Sequence, residues 1–142
     1  MNVNESLVIK RTFAASCERL YSMWTNPALL RKWFCPGDDM TVPVAEADPR
    51  EGGSYRIVME NKEGVTHSPS GVYETVIPNE KLVFSWKWAD SEVTTRVTLK
   101  FRAISDNESE LILTHDGFPE MAMRDLHTEG WEGCLSRLAE AA

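Results

Sequence analysis

Apolar residues recur along this chain with two different periods. Leu7 to Phe13 reads as an opening strand. Ser16 then supplies a helix N-cap, Glu18 puts negative charge into the first turn, and Leu20, Met23 and Trp24 repeat at helical spacing. A second short helix follows almost without a linker. Asn26 can cap it, Pro27 suits its first position, and Leu29, Leu30, Trp33 and Phe34 form its apolar face before Pro36-Gly37 stops it.

From Thr41 to about His115 the apolar positions alternate, and Gly, Pro, Asn and Asp punctuate the strands of an antiparallel meander. Ser54 to Glu60 places Tyr55, Ile57 and Met59 on one face. Gly71 to Ile77 places Gly71, Tyr73, Thr75 and Ile77 together, and Pro78-Asn79 turns the chain. Leu82 to Trp88 is the clearest two-faced strand, with Leu82, Phe84, Trp86 and Trp88 against Val83, Ser85 and Lys87. Val93 to Phe101 and then Leu111, Leu113 and His115 continue the pattern. An apolar, aromatic sheet face of this kind must be covered. The cover is the C-terminal segment: Pro119 can open a helix in which Met123, Leu126, His127, Trp131, Cys134, Leu135 and Leu138 form one stripe. Gly130 interrupts it, so either the helix begins in earnest near Thr128 or the missing side chain allows close approach to the sheet.

Composition narrows the function classes. The chain has 142 residues, 42% of them apolar, enough for one domain over residues 1–142 with a core that needs no disulfide or metal. With 22 acidic against 15 basic residues and a net charge of −7, it has no surplus of cations for phosphate, which argues against nucleic acid or anionic lipid as a partner. The apolar run Leu7–Ile9 is too short for a signal-peptide core, and no stretch approaches the roughly 20 apolar residues of a membrane span, so a cytoplasmic protein with no membrane insertion is expected. Cys17, Cys35 and Cys134 are odd in number and in no C-x-x-C arrangement, which fits reduced thiols in small apolar sites.

The order of elements and several local motifs resemble the START-like (SRPBCC, helix-grip) superfamily. Within it the chain is similar to the family named after the C-terminal domain of the activator of the ninety-kilodalton heat-shock chaperone ATPase. The resemblance rests on Asn26-Pro27 with Leu30, Lys32-Trp33 and Pro36; on Asp48-Pro49-Arg50-Glu51-Gly52-Gly53-Ser54-Tyr55; on Gly71-Val72-Tyr73-Glu74; on Pro78-Asn79-Glu80-Lys81-Leu82-Val83-Phe84-Ser85-Trp86; and on His127-Thr128-Glu129-Gly130-Trp131-Glu132. It implies an α+β helix-grip fold: a curved antiparallel sheet of about six or seven strands around a long C-terminal helix, with two short helices after the first strand. It also implies an internal cavity, because members bind varied apolar or aromatic compounds. Fold alone does not decide function.

Five Trp residues are many for a domain of this size, and Trp33, Trp86, Trp88 and Trp131 fall on core-facing positions. Packed aromatic core and cavity wall are both open readings. The cavity candidates are these four with Tyr55, Met59, Tyr73, Phe118 and His127. His127 lies on the inner stripe, where a neutral imidazole could orient a ligand or act as acid or base near neutral pH; hydrogen bonding to backbone or water is the plain alternative. His115, His127 and Cys134 could be drawn together as a zinc site, but their spacing matches no ligand pattern and a fourth ligand is not evident, so no metal is assigned. Arg50-Glu51-Gly52-Gly53 reads as a hairpin connection and lacks phosphate-loop spacing. No nucleophile elbow and no cofactor signature appear. Three hypotheses follow, in order of preference: a module binding a small apolar or aromatic ligand, a cavity enzyme of cyclase, aromatase or hydrolase type using Tyr73 and His127, and a chaperone-associated protein. An exposed sheet edge or the loop around Met40 could support a homodimer.

Overall fold

The computed structural model describes residues 6–142; the first five, part of the expected domain span 1–142, lie outside the described residues. The chain forms β1 (Leu7–Phe13), α1 (Cys17–Thr25), α2 (Pro27–Trp33), β2 (Thr41–Ala47), β3 (Ser54–Glu60), β4 (Thr66–His67), β5 (Pro69–Ile77), β6 (Lys81–Trp88), β7 (Thr95–Ser105), β8 (Glu108–Asp116) and α3 (Met121–Ala141). Seven strands lie in the order β1-β8-β7-β6-β5-β3-β2, all antiparallel, and the two-residue β4 adds to β3. This is the α+β helix-grip architecture: a curled sheet with α3 on its apolar face and the two short helices at one end.

The helix starts follow from local chemistry. Ser16 Oγ accepts the Arg19 amide at 3.0 Å, and Asn26 Oδ1 accepts the Ala28 amide at 2.9 Å just ahead of Pro27. The Gly52-Gly53 pair closes the β2–β3 connection. Gly52 has φ of +86°, and a Cβ on Gly53 would lie 2.0 Å from the Asp48 carbonyl.

Four details differ from the sequence pattern. In β5 the register slips between Tyr73 and Thr75, which pair with the consecutive residues Phe84 and Val83. The inserted residue reverses the alternation, so Val76 packs on the core while Ile77 is 42% exposed. Second, β7 begins at Thr95 rather than Val93 and runs past Phe101 to Ser105 as an exposed extension paired with β8. Third, α3 starts at Met121, with Glu120 as an N-cap that makes no side-chain cap hydrogen bond, and it runs unbroken through Gly130. Fourth, Leu126 is 68% exposed, since it sits at the margin of the inner stripe.

The close approach lies three residues beyond Gly130. A Cβ at Gly133 would stand 2.2 Å from the Pro36 carbonyl oxygen, so α3 presses backbone to backbone on the segment that follows α2. Arg137 reinforces this seam by bonding Asp38 and the Lys32 carbonyl. A Cβ at Gly130 would meet nothing within 4 Å. None of the helices of the described residues is long and apolar enough to cross a membrane.

Alanine substitution at the two helix glycines should therefore act in opposite directions. Gly130→Ala is expected to raise stability by about 1 kcal/mol, the ordinary helix-propensity gain. Gly133→Ala is expected to lower it by about 1–3 kcal/mol through overpacking. Urea denaturation of both variants measures the two signs.

Candidate functional site

Between α3 and the sheet lies a cavity of about 410 Å³, open on one side. The sheet contributes Trp86 and Trp88 from β6, Met59 from β3 and His67 from β4. The helix contributes Leu126, His127, Gly130, Trp131 and Cys134, a set at helical spacing that surrounds the position where residue 130 has no side chain. Phe34 and Pro36 close one end. A second space of about 290 Å³ shares Pro36, Met59, His67 and Trp88 and leads outward past Asp39, Met40 and Asn61.

Hydrogen bonds between rings hold this wall in place. Trp131 Nε1 donates to His115 Nδ1 at 3.0 Å. An indole N–H only donates, so Nδ1 is the bare nitrogen and the proton of the neutral imidazole is on Nε2. Nε2–H then donates to Thr95 Oγ1 at 2.6 Å, and the Thr95 hydroxyl donates to the Trp86 carbonyl at 3.3 Å. The same logic applies on the other side of the cavity. Trp88 Nε1 donates to His127 Nε2 at 2.9 Å, which leaves Nδ1–H to donate to the Met123 carbonyl at 2.8 Å. All four imidazole nitrogens are occupied, each ring in a different tautomer.

The electrostatics agree with neutral rings. His115 is fully buried, and its pKa is lowered to about 2, first by desolvation and then by the neighbouring His127. Burial also lowers the pKa of His127, partly offset by its hydrogen bond to the Met123 carbonyl. Burial first, and the nearby Cys35 thiol next, push the Cys134 thiol up to about 12, so it is protonated and a poor nucleophile at neutral pH. Among the described residues no group of three or more His, Cys, Asp or Glu is placed to hold a metal ion.

Of the residues expected to line a cavity, the structure brings together Met59, Trp86, Trp88, His127 and Trp131. It places four others elsewhere. Trp33 is fully buried beside Trp24, with its Nε1 donating to the Met23 carbonyl at 2.9 Å. Tyr55 and Tyr73 face a separate cleft near Phe84 that holds only about 10 Å³ of free space. Tyr55 Oη donates to the Ser85 carbonyl at 2.7 Å, and burial raises the pKa of both phenols. Phe118 is buried against His115 and His127, behind the rings that form the wall. The Tyr73–His127 pairing is therefore not assembled: the β5–β6 pairing carries Tyr73 opposite Phe84, on the far side of Phe34 from the imidazole. The pattern missed Phe34, Pro36, His67, Leu126, Gly130 and Cys134 as wall residues. For Gly130 a signal existed, since it interrupts an otherwise apolar stripe.

The model of the family described as Activator of Hsp90 ATPase homolog 1-like protein matches residues 14–142. Among solved structures the chain is similar to a protein from Chromobacterium violaceum, with 25% identity, a TM-score of 0.86 and 96% of each chain covered. It is similar to the AHSA1 protein from Silicibacter pomeroyi, with 29% identity, a TM-score of 0.84 and 95% of each chain covered. A protein from Nitrosomonas europaea shares 22% identity at a TM-score of 0.83, covering 99% of this chain and 96% of its own, and that likeness speaks to the fold alone. None of the curated proteins matches the sequence.

The buried His115 makes stability depend on pH. Its folded pKa of about 2 lies below the ordinary 6.5, so the unfolded chain takes up a proton that the folded chain refuses. Stability is expected to fall as pH drops below about 6.5, by about 1.4 kcal/mol per pH unit for this group, with the loss continuing toward pH 2. His127 adds to it in the same direction. His115→Gln keeps an acceptor for Trp131 and a donor for Thr95 without titrating; its urea midpoint should vary less between pH 7 and pH 5 than that of the parent.

Proposed function

The chain belongs to the family of Activator of Hsp90 ATPase homolog 1-like proteins, and on that premise we propose that it binds one small apolar or aromatic molecule between α3 and the sheet. The observation that carries this reading is the cavity of about 410 Å³ walled by three indoles, a methionine, His67, and a His127 whose two nitrogens are already bonded. Its size lies in the ordinary range for small-molecule sites. A flat bicyclic ligand burying about 300 Å² of apolar surface gains about 7.5 kcal/mol before the costs of association. Gly130 supports the same reading. At a helix position aimed into this space, a residue without a side chain preserves volume at the expense of about 1 kcal/mol of helix propensity.

Binding is favoured over turnover because Tyr73 and His127, the residues expected to do chemistry, are not brought together for it, and Cys134 is not poised as a nucleophile. Both nitrogens of His127 are hydrogen-bonded, Tyr73 faces another cleft, and Cys134 holds its proton. A chaperone partner is the third reading; what supports the cavity over it is that the unusual side chains face inward. We place the protein in the cytoplasm, where three free thiols remain reduced.

Native mass spectrometry of the freshly purified protein should show a retained small molecule, or uptake of N-phenyl-1-naphthylamine as a probe. Gly130→Phe should weaken probe binding at least tenfold while leaving the thermal midpoint unchanged or higher. Unaltered affinity in that variant would place the ligand outside this cavity, and stimulation of a chaperone ATPase by a protein that takes up no probe would favour the third reading.

A further inference from the structure

The inner cavity of about 410 Å³ and the outer space of about 290 Å³ meet at a neck, where Pro36, Met59, His67 and Trp88 line both. The inner space gives a polar group little to bind. No Asp, Glu, Lys or Arg lines it. Both nitrogens of His127 and the N–H groups of Trp88 and Trp131 are hydrogen-bonded within the protein, and the Trp86 Nε1 is itself buried.

His67 differs from these. Among the described residues its ring has no hydrogen-bond partner, and its aromatic contact is an edge-on approach to Trp88 with ring centroids 6.5 Å apart. The strand register fixes which way it points. His67 is the cross-strand partner of Met59, and partners on an antiparallel pair project from the same face of the sheet. Met59 is buried and lines both spaces, so the imidazole faces them too. The turn ahead of β4 is braced from within, since Asn61 Oδ1 accepts the amides of Glu63 and Val65 at 3.0 and 2.9 Å. A strand of only two residues is thereby held at the neck.

Beyond the neck lies Asp39. Among the described residues it has no basic partner, because the adjacent Asp38 is the one that takes Arg137. No other Asp, Glu, Lys or Arg lines either space. A carboxylate only accepts hydrogen bonds, and a neutral imidazole keeps one bare nitrogen that accepts as well. The complement to this end of the site is a donor, whereas an anion would meet like charge and no cation.

We infer that the ligand has two parts: an aromatic or apolar body in the inner space and, reaching through the neck, a hydroxyl or ammonium group that donates a hydrogen bond to His67 on the side of Asp39. This rests on the cavity reading above and adds where the polar end lies and which polar ends are accepted. His67 is then the residue that selects among molecules with the same apolar body.

Probes with a 2-naphthyl body and a straight arm of two, three or four carbons test it, each arm ending in a hydroxyl, a methyl or a carboxylate. Affinities for the parent and for His67→Phe, which keeps an aromatic edge against Trp88 and removes both nitrogens, give an alcohol-to-hydrocarbon ratio in each protein. At the arm length that suits the parent best, the ratio is expected to fall at least about threefold in His67→Phe, the scale of one hydrogen bond made in competition with water. In the ¹⁵N-labelled parent, the His67 ring nitrogens should shift far more on adding the alcohol than on adding the hydrocarbon, while those of His127 respond alike to both. A ratio unchanged at every arm length, a fall without the His67 nitrogen shift, or a carboxylate that binds the parent more tightly than the matching alcohol overturns the inference while the cavity reading stands. Should none of the probes bind the parent, both fall.

Discussion

A hydrogen bond from Trp131 to the buried His115 ties the long helix to β8, the neighbour of the edge strand β1, and much of the interior is arranged around it. An imidazole with no exposure is tolerable only when neutral and fully bonded. The tautomer that receives the indole then requires an acceptor at Nε2, which Thr95 supplies, and the Thr95 hydroxyl in turn finds the Trp86 carbonyl. Three side chains, from β7, β8 and α3, and a backbone carbonyl of β6 are thereby placed by one requirement. The helix cannot slide or rotate without stranding a buried nitrogen. On its other flank the backbone contact of Gly133 with Pro36 sets how near it can come. Between these two restraints the chain leaves space, and the missing side chain at Gly130 keeps that space clear.

The fold was legible from the chain because its signals are local. Capping residues Ser16 and Asn26, the Gly52-Gly53 turn and the two-residue alternation of β3 and β6 depend on neighbours within a few positions, and those elements lie where the pattern puts them. The pattern failed where one residue changed the count, as at the β5 bulge that turns Ile77 outward and Val76 inward. The site was legible only in part, for the same reason. Periodicity tells which side chains face inward; it does not tell which inward-facing ring has another ring behind it. Trp33 and Trp86 look alike in sequence, yet one fills the end of the core and the other stands at a void. Tyr55, Tyr73 and Phe118 are likewise inward and likewise packed solid. The two helix glycines reverse the expectation most plainly: the close approach belongs to Gly133, and Gly130 is the one that keeps room.

Family membership and the likeness to solved structures at 25–29% identity account for the frame and leave the lining free to differ. In this chain the lining is specialised in a particular way. Around it His127 with Trp88, and the buried His115 with Trp131, satisfy each other's polar groups, so that ring carbon makes up much of the inner wall. Such packing keeps His115 and His127 neutral. It suits a site that recognises shape and leaves little of the machinery that proton transfer requires.

The five tryptophans also have a collective property. Ring centroids step from Trp33 to Trp24 in 4.7 Å, to Trp131 in 5.8 Å, to Trp86 in 5.1 Å and to Trp88 in 5.3 Å, so all five form one unbroken path from the end of the core to the cavity. At such spacings an electronic excitation does not stay on the ring that absorbed it. Light taken up anywhere along the path migrates among the indoles before it is emitted, and their transition dipoles couple into shared bands in circular dichroism. Optically, the interior behaves as a single extended chromophore whose last three members stand at the cavity wall.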